Sequence, residues 1–189
     1  MNNARDRLIQ TTAALLQQQG YRNTGLNQII TESGTPKGSL YHYFPGGKDE
    51  LVIAALQAAA DTVHRQLEQT LPQCPDPLTA WVALTENFSQ QLVESGFRKG
   101  CPVATVALEQ AALNPSIQTA CAEAYQQWEA TLAEFLEAHA QPRELASTLL
   151  SLLEGALLLS RARLSTTPLL ATRALAEQLL KPSRISPHA

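Results

Sequence analysis

Residues 24–48 read TGLNQIITESGTPKGSLYHYFPGGK, and this stretch decides the architecture of the N-terminal part of the chain. Leu26, Ile29 and Ile30 recur at helical spacing, and Thr24 or Asn27 can cap that helix. Gly34 permits a tight turn. Thr35-Pro36 then offers a hydroxyl cap, with proline at the first position of a new helix. That helix holds Lys37 to about Tyr43 and breaks at Pro45-Gly46-Gly47. Two helices this short bury no core of their own. An exposed short helix does have the width to enter the major groove of B-DNA, so the segment reads as a helix-turn-helix.

Upstream, Leu8, Ile9, Thr12, Leu15 and Leu16 mark a first helix from about Ala4 to Gln19, stopped by Gly20. Downstream, a long helix is predicted from about Lys48 to Leu71, with Leu51, Ala55 and Ala58 on its apolar stripe and Pro72, Pro75 and Pro77 ending it. Five more helices are predicted, at about 78–94, 102–113, 115–139, 142–164 and 167–180, and the tail from Pro182 to Ala189 should fray. Ala, Leu, Gln and Glu dominate, while strand-favouring residues are few. The expected fold is all-α. A three-helix DNA-binding unit (1–50) is linked by a long helix to a helical ligand-binding and dimerisation unit (51–189).

The net charge of −3 does not announce a nucleic-acid binder. Residues 1–50 carry +1 and residues 51–189 carry −4, which fits a small DNA-facing surface on an acidic body. There is no run of 18 or more apolar residues, and the start MNNARDRLIQ does not read as a signal peptide; a cytoplasmic protein with no membrane partner is expected. Cys74, Cys101 and Cys121 are odd in number and widely spaced, which argues against a disulfide scaffold. His64, His139 and His188 are scattered, and neither nucleophile–base nor metal-ligand spacing occurs. An enzyme is therefore not expected, nor a cofactor.

Within the helix-turn-helix, Gly38 and Ser39 keep one helix face low for close approach to a duplex. Thr35, Lys37 and Ser39 are candidates for reading base edges, and Tyr41 and His42 for phosphate contacts. Leu40 and Phe44 point into the small core, with Tyr43 placed there as well. Lys48 opens the long helix, where its charge and the free N–H groups favour a phosphate, and Thr24 can do the same across the groove. Arg5 and Arg22 read as solvated charges.

The segment GYRNTGLNQIITESGTPKGSLYHYFPGGKDELVIAAL, preceded by one helix, resembles the N-terminal domain of the TetR family of transcriptional regulators. The glycine turn, GSLYHYF and Lys-Asp-Glu-Leu carry that resemblance over roughly residues 5–56. GCPVATVALEQAA, residues 100–112, resembles the subgroup containing the LmrA and YxaF repressors. The Gly46-Gly47 pair departs from the shorter or charged linker common in the family, and could shift the long helix relative to the recognition helix. The resemblance implies a palindromic double-stranded DNA operator bound by a homodimer, and a small hydrophobic or aromatic inducer that releases it.

The residues supply material for both functions. LASTLLSLLEGALLLSRARL (145–164) is apolar around much of its circumference, and LLATRALAEQLL carries a second stripe, so the last two helices can pair two copies as a four-helix bundle. Trp81, Leu84, Phe88, Phe97, Trp128, Leu132 and Phe135 have the character of cavity wall or of ordinary core. Glu109 and Glu154 are interspersed polar groups. Glu154 interrupts an apolar helix and can bind a cationic group, pair with an arginine or sit at the dimer edge. Cys101, at a Gly-Cys-Pro break, reads either as an electrophile sensor or as a small buried residue. The competing functions are an architectural DNA-binding protein without ligand, and a cysteine-based sensing repressor.

Overall fold

The computed structural model describes residues 3–180, so the tail from Pro182, with His188, lies outside the described residues. Among the described residues there are nine α-helices and no strand: α1 (Ala4–Asn23), α2 (Leu26–Ser33), α3 (Lys37–Tyr43), α4 (Lys48–Thr70), α5 (Pro77–Glu94), α6 (Pro102–Gln110), α7 (Pro115–Ala138), α8 (Leu145–Arg163) and α9 (Thr167–Leu179). A single 3₁₀ turn, Leu71–Gln73, follows α4 at the expected proline break. The α6 helix stops at Gln110 and α8 starts at Leu145, both shorter than the sequence pattern suggests.

Local chemistry sets these boundaries. Asn3 caps α1 by accepting the Asp6 N–H, Asp76 caps α5 through Thr79, and Asn114 caps α7 by accepting from Ser116 and Ile117. Proline occupies the first turn of α5, α6, α7 and α9, where its missing N–H costs nothing. Between α2 and α3, Gly34 adopts the left-handed conformation (φ 59°), and the chain returns N–H groups from Gly34 to Thr31 and from Thr35 to Ile30. This paired C-terminal cap reverses the chain within a few residues and sets the angle between the two helices.

Two caps differ from expectation. Gly25, not Thr24 or Asn27, precedes α2, and Pro36 precedes α3 instead of occupying its first position. Thr24 is fully buried and donates its hydroxyl to the Gly20 carbonyl at 2.6 Å. Thr35 is also buried, with its hydroxyl turned back to the Ser33 carbonyl at 3.4 Å. Both hydroxyls act inside the turn, so neither side chain is free for DNA.

Two apolar clusters organise the packing. The smaller gathers Leu8, Ile9, Leu15, Ile29, Leu40, Phe44 and Leu51, and so clamps α2 and α3 between α1 and the first turn of α4. The larger begins at Leu16 and Val52, the very next positions on those two helices, and runs through α4 to α9. The helices α1 and α4 thus belong to both clusters. Consecutive residues on one helix point about 100° apart, which lets each helix feed two cores. By length and composition α8 could cross a membrane, with mean hydropathy 1.3, yet it packs against α7 and α9 with Leu149, Leu150, Leu153 and Leu157 buried.

Candidate functional site

The α3 helix has one committed face and one open face. Leu40 and the following Phe44 are buried, while Lys37, Gly38, Tyr41, His42 and Tyr43 are exposed and Ser39 is half-buried. Tyr41 is 47% exposed. Tyr43, expected in the core, is also exposed and packs edge-on against His42 with ring centroids 5.0 Å apart. A seven-residue helix completes barely two turns, so Leu40 and the Phe44 cap take the whole inward stripe and leave Tyr43 outside. The base of the unit is held by Arg7, whose Nε donates to the Ser33 carbonyl at 3.1 Å, and by Arg5 stacked over Phe44 at 5.6 Å. Arg5 is therefore a structural contact and not only a solvated charge.

Lys48 opens α4 as expected, but its ammonium is turned inward. Nζ donates to the Tyr21 carbonyl at 2.7 Å and lies 3.9 Å from the Tyr21 ring centre, and partial burial lowers its pKa. Tyr21 in turn donates its hydroxyl to Asp49, and burial with that hydrogen bond pushes the phenol up to about 12. The other Asp49 oxygen accepts from Asn114 Nδ2 at 2.8 Å. The N-terminus of α4 is thereby tied to the end of α1 and to the cap of α7. The Gly46-Gly47 linker is closed by Glu50, which reaches back to the Gly46 N–H at 2.7 Å.

Glu109 belongs to this joint. Its Oε2 accepts the Arg22 backbone N–H at 2.8 Å, and its other oxygen lies where a Cβ on Gly20 would sit. Gly20 breaks α1 with φ 76°, a conformation only glycine adopts without strain. Glu109 is absent from the wall of the larger aromatic cavity described next and lines the adjoining hollow instead, with its carboxylate capping the kinked end of α1, because the break leaves peptide N–H groups there without helical partners. Arg161 of α8 serves the same segment, donating to the Gln18 carbonyl at 2.7 Å.

A cavity of about 420 Å³ lies between α1, α4, α5, α7 and α8. Trp81, Leu84, Phe88, Trp128, Leu132, Cys101 and Glu154 all line it. Phe97 and Phe135 do not, and Phe135 packs instead on His139. Sequence reasoning missed Ala13 and Gln17, which bring α1 into the wall. It also missed Tyr125, which lies beside Cys101 in the wall of an adjoining hollow. No periodicity marks these residues, since each does double duty on a helix already assigned to another core.

At the polar end of the cavity Cys101 and Glu154 lie together, with Tyr125 beside them in the wall of the adjoining hollow, and the Cys101 sulfur accepts the Ala104 N–H at 3.4 Å. Burial raises the Glu154 pKa to about 7, against the opposing pull of the thiol donor. Burial first, then the Glu154 charge, push the Cys101 thiol well up, and burial followed by the neighbouring Cys101 and Glu154 raises the Tyr125 phenol. A thiol in this setting stays protonated, which works against its use as an electrophile sensor. On the other side of Glu154, a second hollow of about 600 Å³ runs between α6, α7 and α8, lined by Leu108, Tyr125, Gly155, Leu158 and Arg161. Beyond it, Leu158, Leu159, Leu164, Leu170 and Leu175 stand exposed on α8, α9 and the turn between them.

Comparison with known proteins accords with this geometry. Residues 8–55 match the model of bacterial regulatory proteins of the tetR family, and residues 77–175 match the C-terminal domain of LmrA/YxaF-like transcriptional regulators. The chain belongs to the TetR family of transcriptional regulators. The regulator is 36% identical to YxaF of Bacillus subtilis over 171 residues, covering 88% of this chain and 90% of that protein. It is 34% identical to LmrA of the same organism over 182 residues, covering 94% and 97%. Among solved structures, a TetR regulatory protein from Rhodobacter sphaeroides superposes with a TM-score of 0.82 at 28% identity, covering 92% of this chain and 97% of that one. The regulator is thus a DNA-binding protein and not an enzyme, and its exposed α3 is the second helix of the helix-turn-helix.

Proposed function

We propose that the regulator is a repressor that binds a palindromic operator as a homodimer in the cytoplasm and leaves it when a small hydrophobic or aromatic ligand enters the 420 Å³ cavity. One observation carries the reading. The helix that holds α3 in place also walls the cavity: Leu8 and Leu15 of α1 pack in the recognition unit, while Ala13 and Gln17 of α1 line the hollow. A ligand that needs more room there displaces the recognition helix, and linkage turns that preference into release. The unit of DNA reading is residues 1–50, and the remaining helices hold ligand and partner.

Lys37, Gly38, Ser39, Tyr41 and His42 form the base- and phosphate-facing surface, with Lys48 joining if its ammonium swings off Tyr21 to a phosphate at the α4 N-terminus. The exposed leucines of α8 and α9 support pairing of two copies, since one seven-residue recognition helix reads too few base pairs for specificity. The test is fluorescence anisotropy on an operator located by footprinting, with mass measured in parallel. The reading requires a dimer on DNA and its release by at least one compound that also raises the melting temperature. Operator binding that no cavity-filling compound reverses would leave an architectural protein.

A further inference from the structure

Glu154 is a carboxyl without a cation. Among the described residues its pairing is with the Cys101 thiol, a weak donor, and none of the ion pairs formed there includes it. The nearest arginine on the same helix, Arg161, is bound to the Gln18 carbonyl. Lys99 and Glu94 lie at the outer part of the cavity, both solvent-exposed. A half-neutral acid in an apolar wall is costly to maintain unless something uses it.

The large side chains of the wall are aromatic or aliphatic, with Gln17, Thr62, Gln66, Gln91 and Ser95 as its neutral polar members. Trp81 spends its indole N–H on Thr172 Oγ1 at 3.1 Å, and Trp128 spends its own on the Ala60 carbonyl at 3.0 Å. With Phe88 alongside, these residues offer a ligand aromatic surface and no hydrogen-bond donor. Aromatic rings attract cations through their quadrupole, and a carboxylate at the end of such a lining supplies the counter-charge. Cavity size suits a molecule of two or three fused rings.

Resting on the ligand-responsive reading above, we infer that the cavity selects hydrophobic organic cations, an aromatic body with a protonated amine placed against Glu154, over neutral molecules of the same shape. Binding such a cation holds Glu154 ionised. It therefore strengthens as pH rises through the carboxyl's free-state value near 7 and releases a proton below it. The groups facing Glu154 are Cys101 and Tyr125, both held neutral across that range. Glu94 and Lys99 line the first hollow, and Glu109 and Arg161 the second.

The experiment uses two probes of nearly equal size, 2-naphthylmethylamine and 2-naphthalenemethanol, titrated into the full-length regulator by calorimetry and scored for operator release. The amine should bind about tenfold or more tightly than the alcohol at pH 8, with the gap closing by pH 6. In Glu154→Gln the amine should fall to the alcohol's affinity; the wild-type pH series carries the test should that variant misfold. Equal binding of both probes at pH 8 overturns the inference and leaves the ligand-responsive reading standing. If neither probe binds or releases operator, that reading falls and the cation preference with it.

Discussion

The helices α3 and α8 make opposite use of exposure. In α3, two buried residues anchor the helix and the open face is polar or aromatic with a hydroxyl, imidazole or ammonium at the tip. In α8, leucines lie on both sides: Leu149, Leu150, Leu153 and Leu157 buried, Leu158 and Leu159 open, with Glu154 half-buried between the two hollows. Water tolerates the first arrangement indefinitely. It penalises the second twice, once for exposed apolar surface and once for a half-buried acid. The open face of α3 is stable in water as it stands, whereas α8 keeps an apolar face that a second copy, in the proposed dimer, would cover.

The sharpest way to break the comparison is to remove the need for a partner. Leu158→Glu with Leu159→Glu should yield a monomer by light scattering and weaken operator binding about a hundredfold or more, through loss of the paired half-sites. A dimer of unchanged mass would move the interface elsewhere. Next in size is the cost of the half-buried acid. Glu154 has its pKa raised to about 7 from 4.5, so its stabilising proton is fully present below about 4.5 and lost as pH rises through 7. Glu154→Gln should therefore melt at a higher temperature than wild type at pH 8, by about 2 kcal/mol in stability, and no differently near pH 4.5.

Two smaller changes probe α3 and its turn. Lys37→Ala should weaken operator binding about tenfold and relax the preference at the base pair it reads, in a screen of single-base operator variants. A salt slope lowered by about one would show it on a phosphate instead. An unaltered slope places that ammonium away from the phosphates. Thr24→Val removes a hydroxyl that serves the Gly20 carbonyl. It should cost about 1 kcal/mol or less in denaturant unfolding and leave the salt slope alone. A reduced slope would return Thr24 to the DNA surface.

Thr24 and Thr35 show where sequence reading fails. Both are hydroxyl residues beside helix starts, the pattern of a cap or a phosphate contact, yet both are swallowed by the turns they sit in. Local pattern names a group that can donate; only the path of the chain determines whether it faces water. Glu109 has a second task that no local pattern announces. It lies on a helix beside the cavity, but the kink at Gly20 presents it with an unpartnered peptide N–H from residues far away in sequence. The large aromatics fared by the same rule: Trp81, Phe88 and Trp128 line the hollow, while Phe97 and Phe135, identical in character, do not.

Periodicity, glycine and proline punctuation by themselves determined the all-helical fold and, among the described residues, the nine helices within a few residues, because these depend on local spacing and on which backbone angles a residue permits. The tertiary structure alone decided that α1 serves two cores, that Lys48 rests on Tyr21, and that Glu154 meets Cys101 and Tyr125 at the end of an aromatic cavity. Those facts depend on the rotation of each helix about its axis and on contacts between residues distant in sequence, and no local pattern encodes either.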